Sequence, residues 1–304
     1  MPFCNRDFSM NPVHTLILTA ESCWDWCAKT DATQLMLQAS LFVFVVEVVR
    51  RWGRWKWPKV AYDSCFANIL LMLINGALAP VFVILVDLAE ASYGELGIPR
   101  LQTQTWDTVP VWASILVILL ASDFCDYWNH RLMHVLRWLW PIHAIHHSDE
   151  HPTVLTSGRV HLLEPLIMQM SYLLLLTWMN LPYEVLGGVA GLRVLHNMYV
   201  HMHLDWDHGP LKYVIASPRY HRWHHADDPE IYGKNLANLF PFYDVLFGTY
   251  YVPGRCDAEM GAKGVPTDAM TLVAWPFVAW TKMIKRRYRR WRKRQDAVRT
   301  QQAG

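Results

Sequence analysis

Five stretches of this chain run almost uncharged over lengths close to what a bilayer demands. Leu35 to Val49 is nearly free of charge, Phe66 to Leu88 breaks its apolar run only with Asn68, Asn75, Pro80 and Asp87, and Pro110 to Ser122 carries no charge. Leu162 to Leu181 holds only Glu164, and Val185 to Val200 only Arg193. About 20 apolar residues cross the hydrocarbon as a helix, so each stretch reads as a span or most of one. The last two are joined by the short turn Asn180-Leu181-Pro182-Tyr183 and read as a helical hairpin. Buried helices of a soluble protein are the alternative, since 304 residues with 53% apolar content also suit one large or two small soluble domains. Five such runs in one chain are rarely met outside membranes. The expectation is an all-α integral membrane bundle of about four to five spans or half-spans.

Charge between the runs sets the orientation. Arg50, Arg51, Arg54, Lys56 and Lys59 follow the first run, whereas the 87 to 108 connection holds Arg100 against Asp87, Glu90, Glu95 and Asp107. Lys and Arg gather on the cytoplasmic side, which puts the first loop inside and the second outside. The third run then returns to the cytoplasm at Asp123, and the hairpin goes out and back. Thr271 to Ile284 is apolar but too short to cross, and it leads into KRRYRRWRKR, with eight Lys and Arg among residues 285 to 294. That pattern reads as an interfacial helix with a basic tail on anionic lipid. A net charge of only +2 and the apolar context speak against nucleic acid as the tail's partner.

Composition divides the chain into an N-terminal segment 1–34, transmembrane helices 35–122, a histidine-rich domain 123–252 that includes the hairpin at 162–200, and an interfacial helix with its basic tail at 253–304. Residues 1 to 30 show no secretory signal. The six Cys, Cys23 and Cys27 included, read as ordinary small residues. A bacterial inner membrane and the endoplasmic reticulum are equally compatible locations.

Fourteen of the fifteen histidines fall between His130 and His225, mostly in three boxes: His130/His134, His143/His146/His147 and His221/His224/His225. A helix brings residues three and four apart onto one face. Each box therefore presents a small patch of imidazoles. Eight ligands exceed what one ion takes, since a zinc site uses three or four, so the count points to two metal ions. Imidazole suits zinc, copper, iron and nickel alike. By the orientation above, all three boxes meet on the cytoplasmic face as a helical cap that holds a di-metal site.

The segments DFCDYWNHRLMH, WPIHAIHHS, SPRYHRWHH and YGKNLANLFPFYDVLFGTYY resemble the fatty acid hydroxylase and sterol desaturase superfamily of integral-membrane di-iron oxygenases. The likeness covers about residues 120 to 252, with HxxxH, HxxHH and HxxHH in the family's order. It implies two iron ions, O2 as co-substrate, an external electron donor and attack on a C–H bond of a lipid. Carried over, the ligands are His130, His134, His143, His146, His147, His221, His224 and His225, with His201 after the hairpin. His203 is taken as a further ligand, with a hydrogen-bonding role beside the metal as its alternative; His196 is a weaker candidate. Asp126, Arg159, His161, Glu164 and Asp244 are expected to surround the ligands and orient their rings. Asp126 lies four residues before His130 and eight before His134 on one helical face. Asp149, Asp227 and Asp228 read as solvated loop charge, His151 and His208 as surface residues, and His14 as unrelated.

The implied function is O2-dependent hydroxylation or desaturation of a membrane lipid, sterol or fatty acyl, with the SPRYHRWHH and FGT context leaning to a sterol. Electrons would come from a separate protein, because no cytochrome b5 haem motif or GxGxxG fingerprint is present. A zinc-dependent membrane hydrolase is the alternative enzyme. A metal transporter or sensor would place its ligands near the bilayer midplane, which these boxes do not match.

Overall fold

The computed structural model describes residues 59–303 and the helical positions 38, 41, 42, 45, 46 and 49. The segment 1–34 with His14, Cys23 and Cys27, most of the first apolar run and the basic loop 50–58 lie outside the described residues. Within them the fold is all-α, with one isolated bridge between Ala226 and Met260. The helices are α1 (Lys59–Ala77), α2 (Ala79–Glu95), α3 (Val111–Val135), α4 (Trp140–His147), α5 (Glu164–Met179), α6 (Tyr183–Val200), α7 (Pro218–His225), α8 (Phe242–Phe247) and α9 (Ala269–Ala303).

Local sequence explains the boundaries. Pro80, Pro141, Pro165 and Pro218 open α2, α4, α5 and α7 in the first turn, where a missing N–H leaves no bond unmade. Asn180 closes α5 with a left-handed φ of 50° and so starts the turn into α6.

Helix α3 is the spine. It packs against α5 and α6, and α5 packs in turn against α2. At its upper half Ile118 is buried with Met179, Leu181 and Val189 of the hairpin. One end lower, Tyr127 is buried with Leu236, Ala237, Phe240 and Tyr243. A third cluster joins Ala67 and Leu71 of α1 to Ile145 of α4 and to Ala269 and Leu272 of α9. Burying such side chains is worth about 1.5–3 kcal/mol each, and these clusters hold the hairpin and the segment 236–243 to α3, and α4 to α1 and α9. Because α3 runs unbroken through Asp123, the compositional boundary at 122/123 falls inside one helix.

Among the described residues two helical stretches are long and apolar enough to cross a membrane: Asp63–Glu95, taken across the break at Leu78, and Val111–Val135. Both turn apolar side chains outward, with Phe66 63%, Leu73 66% and Trp112 70% exposed. Exposed apolar surface of this extent marks contact with lipid or a partner. The expected four to five spans are not all found. The hairpin helices α5 and α6 have 16 and 18 residues, about 24 and 27 Å at 1.5 Å per residue, against about 30 Å of hydrocarbon. The C-terminal apolar segment and basic tail form the single helix α9, whose Met270, Phe277, Ile284 and Trp291 make an exposed stripe seven residues apart.

Candidate metal centre

Nine histidines converge where α3, α4, α6 and α7 meet. Their ring nitrogens form two groups, each with its members within 4.8 Å of one another: His130, His134, His143, His147 and His224 in the first, and His146, His201, His221 and His225 in the second. The groups adjoin, the rings of His147 and His225 lying 4.6 Å apart. Sequence boxes and spatial groups do not coincide. Within an HxxHH box the first and last histidines lie about 40° apart around the helix, while the middle one lies about 60° to the other side. Helix α4 therefore gives its i, i+4 pair, His143 and His147, to the first group and His146 to the second. Helix α7 has the same spacing and does the reverse, giving His221 and His225 to the second group and His224 to the first. The result is five donors facing four.

Four of the outer ring nitrogens are tied down. His143 Nδ1 donates to Glu164 Oε1 at 2.7 Å, His130 Nδ1 to the Leu236 carbonyl at 2.7 Å, His224 Nδ1 to the Lys234 carbonyl at 2.9 Å, and His201 Nδ1 to the Asn197 carbonyl at 2.6 Å. A neutral imidazole carries one proton, so these four rings present bare Nε2 lone pairs to the interior. His130 Nε2 and His143 Nε2 then face each other at 2.8 Å with no proton between them, and His224 Nε2 is buried without a partner among the described residues. Converging lone pairs are repulsive on their own and stable around cations. The donor set thus fits two metal ions, five imidazoles to one and four to the other.

Burial first, and neighbouring imidazoles second, hold His143, His146, His147, His221 and His225 well below the ordinary histidine value. Burial likewise lowers His224, with His130 as the next cause. Neutral rings are the form that binds metal.

The carbonyls that accept from His130 and His224 sit on the loop 234–240, which has its own scaffold. Asp244 accepts from the Leu236 and Ala237 N–H groups at 2.7 and 2.8 Å, from Thr249 Oγ1 at 2.6 Å and from the Tyr220 hydroxyl. Asp123 accepts from Leu239 N and Phe240 N, both at 2.8 Å. Asn235 adopts a left-handed φ of 55°; its amide donates to the Tyr220 and Tyr251 carbonyls and accepts from Tyr251 N. Asp123 and Asp244 therefore act on the imidazoles through the backbone.

A second buried network anchors α4. Arg159, wholly buried, donates to the Ile145 carbonyl at 3.1 Å, to Ser148 Oγ at 3.0 Å and to Asn68 Oδ1 of α1 at 3.0 Å. It faces Asp149, which accepts from Ser64 Oγ at 2.8 Å, Asn68 Nδ2 at 3.2 Å and Thr156 Oγ1 at 2.6 Å. Burial alone would raise Asp149, yet the guanidinium and these hydrogen bonds outweigh it and hold the carboxyl below its ordinary value. Asp149 is thus no solvated loop charge; its exposure is 0%. Sequence reasoning missed it and Asn235, although Asp149 sits directly after the second box and Arg159 required a partner.

The other expected residues fall in different places. Of the five residues set around the ligands, Glu164 touches a ring directly. Asp126, though on the His130 face of α3, pairs with Arg193 of α6. His161 donates from Nε2 to the Val273 carbonyl of α9 at 3.1 Å and accepts from Leu163 N at Nδ1. His203 stands outside both groups, exposed, with Arg222 2.8 Å from its Nδ1, because the chain turns away after His201. His196 bonds the Ala216 carbonyl and His208 the Tyr199 hydroxyl. Asp227 accepts from Tyr232 and pairs with Lys263 at 3.1 Å.

Two cavities flank the centre. One, of about 620 Å³, runs between α3, α5 and α6 past Ile118, Leu176 and Val189 to Asp126, Arg193 and Glu164. The other, of about 670 Å³, reaches His134, His147 and His224 directly, with Trp140 forming a wall 5.3 Å from the His134 ring.

A sequence model of the fatty acid hydroxylase family matches residues 115–249. An ornithine lipid hydroxylase of Rhizobium tropici is 30% identical over 56% of this chain and 52% of its own length. Human alkylglycerol monooxygenase is 26% identical over 80% of this chain and 52% of its own. A putative methylsterol monooxygenase of Dictyostelium discoideum is 27% identical over 45% of this chain and 50% of its own. The chain thus spans about half the length of these relatives. No solved structure matches it significantly.

Proposed function

We propose that this chain is a member of the fatty acid hydroxylase and sterol desaturase superfamily, on the match of residues 115–249 to that family's model and the likeness to the lipid hydroxylases above, and that it is an O2-dependent di-iron oxidoreductase attacking a C–H bond of a membrane lipid. The observation that carries this is the pair of adjoining imidazole groups, in which His130, His143, His201 and His224 turn bare Nε2 atoms inward. A di-iron pair, when bound, supplies reductive activation of O2 toward an unactivated C–H bond. This chain's residues do the rest. The nine histidines hold the ions, Glu164 orients His143 and raises its basicity, and the loop 234–240 fixes His130 and His224. Trp140, against His134 and His147, keeps one side of the centre apolar.

The substrate class is an acyl or ether lipid. The relatives named for ornithine lipid and alkylglycerol match 56% and 80% of the chain, and the one named for methylsterol 45%. The chain is a multi-pass membrane protein of four to five spans or half-spans, with the histidine groups at the cytoplasmic ends of α3 and α6 and electrons delivered by a separate protein. Support comes from the outward apolar faces of α1 and α3, the positive-inside pattern and the basic α9.

The test is metal content and oxygen dependence together. Purified protein should carry two irons per chain and oxidise lipid only with O2 and a reductant. His146→Ala and His224→Ala, one from each group, should abolish turnover while the protein still inserts in the membrane. Turnover under anaerobic conditions with zinc alone would replace this reading with a metal hydrolase.

A further inference from the structure

The 670 Å³ cavity beside the first histidine group differs from its neighbour in charge. Its rim carries four cations, Arg137, Lys263, Lys282 and Arg286, and its lining contains no carboxylate. The 620 Å³ cavity holds Arg193 against Asp126 and Glu164. Lys263 is partly neutralised by Asp227, which leaves Arg137, Lys282 and Arg286 as the surplus. Below them the wall is apolar, with Val135, Trp140, Ala144, Trp275, Ala279 and Met283 leading to the imidazoles. Trp275, Ala279, Lys282, Met283 and Arg286 lie on one face of α9, at i, i+4, i+7, i+8 and i+11. The exposed stripe Met270, Phe277, Ile284 and Trp291 lies on the opposite face. One helix thus turns an apolar edge outward and a basic, apolar-stemmed edge onto the cavity. Lys282 Nζ lies over the Trp275 ring, 5.3 Å from its centroid, while the side chain stays exposed.

Resting on the lipid-oxidising reading above, we propose that this cavity is the substrate site and that the substrate is a phosphate-bearing lipid. The phosphate is held at the rim by Arg137, Lys282 and Arg286, with its chain directed inward to His134, His147 and His224. Three cations without a carboxylate in the lining suit a phosphate, with bidentate contacts available from each arginine. A pocket of several hundred cubic ångströms with apolar walls and a few convergent polar groups suits an amphiphile. An acidic patch on an electron-donor protein could meet the same charges, but it would leave the apolar wall unfilled.

The probes are palmitoyl lysophosphatidate and monopalmitoylglycerol, which share chain and glycerol and differ by the phosphate. Binding to the iron-loaded protein in neutral detergent is measured directly. The phosphate lipid should bind at least about tenfold more tightly, and millimolar inorganic phosphate should not displace it. Lys282→Gln with Arg286→Gln should bring the two lipids within about twofold of each other. Arg287→Gln with Arg294→Gln, which removes as much charge from α9 outside the cavity, should keep the preference. Ala279→Trp should lower binding of both lipids without changing iron content. Equal binding of the two lipids by the wild type, displacement by inorganic phosphate alone, or equal loss of preference in both double variants would overturn the proposal. So would an effect of Lys282→Gln with Arg286→Gln confined to the KM for the electron donor. A wild type that binds no iron would instead break the di-iron reading, and the same lipid comparison, made on the protein as purified, would still decide the phosphate site.

Discussion

Among the described residues Glu164 is the one carboxylate that hydrogen-bonds a ring of the two histidine groups, and its effect on His143 is separable from its charge. In Glu164→Gln the amide oxygen can still accept the Nδ1 proton, but the ring loses the basicity that a carboxylate lends it. Metal affinity or activity should fall about 10- to 100-fold, read as iron retained through a chelator series, with the secondary structure unchanged. His203 gives the opposite expectation. Exposed and set against Arg222, it should tolerate His203→Ala with iron stoichiometry and turnover within about twofold of wild type. A loss of one iron in His203→Ala would mean that the histidine swings inward when metal binds.

Among the elements, the helical boxes were legible in the sequence and the loop that serves them was not. HxxxH and HxxHH state their own geometry, because helical periodicity fixes which imidazoles share a face. Even the crosswise donation follows from that spacing once α4 and α7 are set face to face. Nothing in the sequence says that they face each other. The loop 234–240 has no period, and its carbonyl contacts to His130 and His224 depend on Asp123, more than 110 residues away. Asp244 was recognisable as a position, though not as a clamp on backbone N–H groups. Asp244→Asn sets an amide against four donors, leaving buried groups unsatisfied at about 1–3 kcal/mol each. The expected outcome is a lower thermal midpoint and loss of the first-group metal, with Asp244→Glu failing to restore either.

For the whole molecule, the buried imidazoles set the response to acid. Six of them on α4 and α7 are held well below the ordinary value of 6.5 by burial. Above about pH 6.5 the folded and unfolded chains both carry neutral rings, and this contribution is level. Below it the unfolded chain takes up protons that the folded one refuses, so stability falls with pH by up to about 1.4 kcal/mol per unit for each ring. The thermal midpoint of metal-free protein should therefore drop steadily from pH 6.5 to 5. A flat profile would mean that the rings are reached by solvent. The span count was the least legible property at this scale. Apolar runs announced five membrane segments, but the hairpin reads the same whether it crosses or only enters, since Asn180 closes its turn at either depth.

The exchange of histidines between α4 and α7 also bears on how the protein is made. Neither ion can be enclosed by one part of the chain, because each needs rings from both helices, and the last of them, His225, follows the first, His130, by nearly a hundred residues. A chain emerging from the ribosome would hold α3 and α4 in place, with four imidazoles of one site and one of the other, and so complete neither set. Once α7 emerges and docks, both sites close in the same event. Completion of both metal sites would thus wait for α7, as a single commitment rather than two.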